Sequence, residues 1–147
     1  LKGRMRELGM QVETDPVGNL HGVLQGSDPA AKSIVLGSHM DTVMQGGVYD
    51  GMLDVTGAKY STPCDPRLIK LIDDVCTEKG ISHIIMPSGA GHDANSMAHE
   101  GVPIGMIFVP SVKGISHQGD EYTKPEHIDL GADVLYQTVL KLDENGF

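Results

Sequence analysis

Residues 65–86 read DPRLIKLIDDVCTEKGISHIIM. Asp65 offers a side-chain oxygen where a helix N-cap needs one, and Pro66 suits the first helical position, where its missing N–H costs nothing. Leu68, Ile69, Ile72, Val75 and Cys76 then recur at the spacing of one helical face. Gly80 closes the helix. The next residues, 81–86 (ISHIIM), form a short apolar run, the mark of a strand buried in a sheet.

The same alternation extends outward. Residues 33–36 (SIVL), bounded by Gly37, and 103–109 (PIGMIFV) are two more runs of buried-strand type. A helix is expected from about residue 93 to 99, after the turn SGAGHDA. A closing amphipathic helix is expected over 129–142, with Ala132, Leu135, Val139, Leu140 and Leu142 on or near one side. At the other end, residues 1–8 read as the last turns of a helix that Gly9 stops, and two short strands follow around a turn at Asp15-Pro16. Because the chain opens with Leu1 inside that helical pattern, further residues are expected before it. Strands alternating with helices imply the α/β class, a sheet with helices packed over it.

Composition narrows the possibilities. The 147 residues suit a single domain. Glycine and proline, at 19 and 8, are too many for a helical bundle and suit tight functional turns. A net charge of −9, with Lys and Arg scattered, argues against nucleic-acid binding. No apolar run is long enough to cross a membrane, and no signal-peptide pattern opens the chain. Cys64 and Cys76 are too few for a disulfide framework and fit reduced thiols in a cytoplasmic protein.

In α/β sheets, sites form in loops beyond the carboxyl ends of strands. Three polar clusters occupy such places: 38–50, 88–93 and 111–121. His39 and Asp41 share a face if extended, so the acid can hold the ring of a metal-binding histidine; a surface histidine is the plain alternative. Asp50 sits in a glycine turn, GGVYDG, either as a ligand or as a turn aspartate accepting backbone N–H groups. His92 and Asp93 end SGAGHD, an anion-binding turn or an ordinary capped helix start. His117 follows the third strand in GISH, as a ligand or a surface residue. No phosphate-binding loop is present, and Ser38 and Ser116 lie beside histidines that point to the opposite face of an extended chain.

Together, VGNLHGVLQG, IVLGSHMDTVMQGGVYDG, MPSGAGHDA and MIFVPSVKGISHQGDEYT resemble the hydantoinase/carbamoylase branch of the zinc exopeptidase-like amidohydrolases, which includes N-carbamoyl-L-amino-acid hydrolase and allantoate amidohydrolase. The resemblance covers residues 5–51 and 61–142, in order. It implies an α/β/α sandwich carrying two divalent ions (Zn, Mn, Ni or Co). His39 matches the first histidine ligand, Asp41 the acid orienting it, Asp50 the bridging carboxylate and His117 the last histidine ligand. His92 and Asp93 match the substrate pocket, and Glu121 matches a recurring acid whose role stays open. The implied reaction is hydrolysis of a linear C–N bond in an N-carbamoyl amino acid, allantoate or a similar ureido acid by a hydroxide held between the ions.

The sequence also departs from the family. Between the YDG turn and STPCD the family carries a glutamate pair (general base and ligand), another histidine ligand and a lid and dimerisation domain. Here residues 52–60 (MLDVTGAKY) stand in their place, with no glutamate and no histidine. Asp54 and Glu121 are candidates for the base only by their closeness in sequence. The expectation is therefore a truncated catalytic core over residues 1–147, from an internal deletion, a minimal core or part of a longer protein. The competing readings are an inactive core acting as a weak metal-binding or interaction module, and one half of a split enzyme. Faces uncovered by the deletion favour self-association.

Overall fold

The computed structural model describes residues 1–37, 62–88 and 90–146. The chain divides into two compact units, Leu1–Leu36 and Gly37–Phe147.

In the first unit, helix α1 (Lys2–Glu7) precedes strands β1 (Gln11–Thr14) and β2 (Leu20–Val23). The strands pair antiparallel, with Gln11 opposite Val23 and Thr14 opposite Leu20. The hairpin loop is organised by Asp15. Its carboxylate accepts the backbone N–H groups of Val17 (3.0 Å) and Asn19 (2.8 Å) and the Asn19 side-chain amide (2.8 Å). It also faces His21 Nε2 at 3.4 Å. These donors, the Asn19 side chain foremost, stabilise the ionised form and lower the Asp15 pKa to about 2. Helix α1 lies against the hairpin through Met5. A Cβ on Gly22 would meet Met5 Cε at 2.5 Å, so only glycine admits that side chain as placed.

The second unit is built around helix α2 (Pro66–Glu78), where the capping read from the sequence is formed. Asp65 Oδ1 accepts the Arg67 N–H at 2.8 Å, and Pro66 opens the helix. At the other end Gly80, at φ +66°, lets its N–H donate to Thr77 O (3.0 Å) while the Ile81 N–H donates to Cys76 O (2.9 Å). This is a complete Schellman closure, and it turns Ile81 back onto the core beside Cys76. Gly9 ends α1, and Gly101 ends helix α3 (Asp93–His99), with the same pair of bonds.

Helix α4 (Pro125–Asn145) packs on α2. It starts four residues before the expected Asp129, because Pro125 at its first turn supplies the pre-set φ of a helix start. Its buried residues are Val134 and Thr138, one turn apart, whereas Ala132, Leu135 and Leu140 are exposed. Thr138 can be buried because its hydroxyl donates to Val134 O at 2.8 Å. The core joins Val75, Cys76 and Val134, flanked by Ile72, Ile81 and Ile107. Burial pushes the Cys76 thiol pKa up, and Cys64 and Cys76 are both free thiols. Lys141 to Glu78 (2.6 Å) and Lys79 to Asp133 (2.8 Å) tie the two helices at their surface.

The larger sheet read from the sequence is not formed among the described residues. Residues 33–36, 81–86 and 103–109 carry no strand ladder there. A strand is defined by its ladder to a neighbour, and no such ladder is formed by these runs among the described residues. Ile84 is accordingly 78% exposed and Ile85 67%. The 103–109 run is nonetheless anchored to α2. Ile104 O accepts the Asp65 N–H at 2.8 Å, and Ile107 reaches the core.

Candidate functional site

The second unit contains a cleft of about 540 Å³ where Ser88, Ala90 and His92, the 107–109 segment and the 111–123 loop come together. Each wall is positioned by a feature already described. Ile107 is held in the core, which sets its neighbour Phe108 on the cleft wall. Helix α3 begins at Asp93, which places His92 at its N-cap position with extended backbone.

His92 has two partners in the cleft. Its Nε2 lies 2.7 Å from Ser88 Oγ, and its ring is tilted against Phe108 with centroids 5.5 Å apart. The Ser88 oxygen also accepts the Ala90 N–H at 3.2 Å. The hydroxyl keeps its proton and a second lone pair, so it can either donate to Nε2 or accept from it, according to the ring's tautomer. The contacts fix the imidazole by a polar hold at one edge and an aromatic wall.

The loop after Pro110 is closed at its base, where the Val112 N–H donates to Tyr122 O at 2.8 Å. The Ser111 hydroxyl donates to Ile115 O inside it. His117 lies at the tip of this loop with φ +59°, a left-handed backbone unusual for a residue with a side chain. Its N–H donates to Glu121 Oε2 at 2.7 Å. His117, Glu121 and His92 all line the cleft.

The structure therefore brings His92 and His117 to one cleft from separate segments. Asp93 does not join them: it is exposed on the first turn of α3 and is not among the cleft-lining residues. His39, Asp41 and Asp50, and the candidate base Asp54, lie outside the described residues. Ser88 and Phe108 are cleft residues that the motifs did not single out. Ser88 stands four residues before His92, and its position in the glycine turn is the only sequence signal of that pairing.

The donor types in the cleft, imidazole nitrogen and carboxylate oxygen, are those a zinc-type ion takes. Among the described residues they do not assemble a group of three or more His, Cys, Asp or Glu side chains able to hold a metal. No described helix is long and apolar enough to cross a membrane.

Comparison with known proteins gives this cleft its family. The family model described as peptidase family M20/M25/M40 matches residues 47–141, about two thirds of the chain. A ureidoglycolate hydrolase of Arabidopsis thaliana is 44% identical over 78 residues, 53% of this chain and 16% of that protein. An N-carbamoyl-L-amino-acid amidohydrolase of Pseudomonas sp. (strain NS671) is 41% identical over 84 residues, 57% of this chain and 20% of that protein. An allantoate amidohydrolase of Bacillus subtilis (strain 168) is 39% identical over 80 residues, 54% of this chain and 19% of that protein. The matched stretch is thus about a fifth or less of each relative's length.

The chain belongs to peptidase family M20/M25/M40. Within it, these relatives, each named as a hydrolase or amidohydrolase, support the carbamoylase and allantoate amidohydrolase branch, as the motifs implied.

Proposed function

We propose that this chain is part of the catalytic core of a metal-dependent amidohydrolase that cleaves a linear C–N bond of N-carbamoyl amino acids, allantoate or similar ureido acids. The observation that carries the reading is the meeting of His92 and His117 in one cleft, each inside a motif that the family resemblance singles out. His39, Asp50 and His117 would hold two divalent ions, with Asp41 orienting His39. Ions of this kind supply Lewis acidity and an activated water.

The chain's own residues do the rest. His92, fixed by Ser88 and Phe108, can donate a hydrogen bond to a carbonyl or carboxylate of the substrate. Phe108, Ile107 and Ile128 give the cleft an apolar wall beside that bond. Residues 33–36, 81–86 and 103–109 would be strands of an α/β/α sandwich in one catalytic core, in a cytoplasmic protein.

The test is ammonia release from N-carbamoyl amino acids and allantoate by the protein loaded with zinc, manganese, nickel or cobalt. Turnover that His117→Ala lowers at least about a hundredfold supports the reading. No turnover with any of the four metals would leave the ancestry but remove the activity. One observation favours a second reading, a metal-binding core without turnover. Residues 52–60 contain no glutamate or histidine where the resemblance places the general base and further ligands.

A further inference from the structure

His117 poses a local problem. A left-handed backbone, here at φ +59°, is uncommon for a residue with a side chain, although histidine adopts it more readily than most, so a contact that fixes it bears on how the residue is held. A metal ligand also needs its Cα–Cβ bond aimed within narrow limits, and the backbone sets that aim. The base of the loop, Val112 to Tyr122, does not act at residue 117 directly. Among the described contacts at the tip, the bond from the His117 N–H to the Glu121 carboxylate does.

We propose that Glu121 is a positioning residue, whose carboxylate clamps the His117 backbone N–H and so fixes the left-handed turn that presents His117 at the cleft. The bond is 2.7 Å long and charge-assisted, the stronger kind of N–H···O interaction. Glu121 is suited to the task because it is itself held. Its own N–H donates to Gln118 O at 3.0 Å, it is half-buried, and it directly precedes Tyr122 at the loop base. The carboxylate therefore reaches back across residues 117–121 from a fixed point. This assigns Glu121 a place beside the ligand, neither as a ligand nor as the general base.

The inference rests on the reading of His117 as a ligand, and its test separates the two. The variants are Glu121→Ala, which removes the acceptor, and Glu121→Gln, which keeps a side-chain carbonyl in reach of the N–H but discards the charge. Both leave the backbone bond at the loop base in place. The first readout is amide hydrogen exchange at His117 in the metal-free 147-residue chain. The second is calorimetric affinity for zinc alone.

In Glu121→Ala the His117 amide should exchange at least about tenfold faster, and zinc should bind about tenfold more weakly. Glu121→Gln should stay within about threefold of the parent on both, since a neutral acceptor still makes the bond. His117 exchange in Glu121→Ala within about twofold of the parent would show that no clamp exists. Faster exchange with unchanged zinc affinity would show that the clamp does not position a ligand. A Gln variant as impaired in zinc binding as the Ala variant would mean that the charge acts on the ion itself. A parent chain that takes up no zinc overturns the metal reading of His117, while the exchange rates still decide the clamp.

Discussion

Among the described residues of the second unit, Val75 is the side chain that is almost wholly enclosed, at 1% exposure. It lies where α2 meets α4 and where Ile81 and Ile107 join the core, so Val75→Ala tests the packing that carries the cleft wall. The substitution removes two methyl groups from full burial, about 1.6 kcal/mol of transfer free energy. Its neighbours are fixed by a Schellman closure on one side and a two-helix contact on the other, so they collapse into the space only in part. The cavity left behind brings the expected loss to about 2–3 kcal/mol. For a unit of this size that corresponds to a fall in Tm of roughly 6–12 °C. Thermal and urea unfolding followed by helical circular dichroism measure it. The matched control is Tyr136→Ala on α4, where the ring is 60% exposed and the change should stay within about 0.5 kcal/mol. If Val75→Ala unfolds like Tyr136→Ala, the α2–α4 contact is not the core of this unit and the reasoning fails.

Three further outcomes follow from particular contacts. The His83 ring offers Nδ1 to Ile81 O (2.8 Å) and Nε2 to the Asp73 carboxylate (2.7 Å), and both acceptors favour the protonated ring and raise its pKa. Its contribution should be fully present below about pH 6.5 and vanish as pH rises through the raised folded value; His83→Gln should flatten that part of the Tm-against-pH curve, and an unchanged curve would count against the contact. Gly131→Ala, normally a gain of about 1 kcal/mol in a helix interior, should instead destabilise, because its Cβ would sit 2.5 Å from Val109 Cγ1. Unfolding of Gly131→Ala with and without Val109→Ala checks this, the double variant being the more stable. The exposed run Ile84, Ile85 and Met86 should drive self-association; sedimentation velocity should show Ile84→Lys shifting the chain toward monomer, and identical profiles would exclude this run as the contact.

The parts of the fold legible in the sequence are those decided within a few residues. Asp65-Pro66 and the glycines at 9 and 80 mark helix ends by local backbone chemistry, and the structure forms the closures they imply. The start of α4 at Pro125 carried a signal too, a proline followed by Glu126, which the later Asp129 obscured. Thr138 was not legible as core, since only its bond to Val134 O makes a hydroxyl acceptable there. The expected strands depend on partners far away in the chain, and an apolar run does not reveal whether those partners are present beside it. The site divides in the same way. The clusters 88–93 and 111–121 were visible as polar residues after apolar runs, and they do meet at a cleft. The hold of Ser88 on His92 and of Glu121 on the His117 backbone depends on turn geometry that spacing alone does not specify.

The central claim is that His117 belongs to a metal site together with His39 and Asp50. Zinc titration by calorimetry on the parent chain and on His117→Ala, His39→Ala and Asp50→Ala tests it most directly. The account predicts uptake of two ions per chain, with at least one ion lost in each variant. Uptake that is absent in the parent, or the same in the parent and in all three variants, contradicts it.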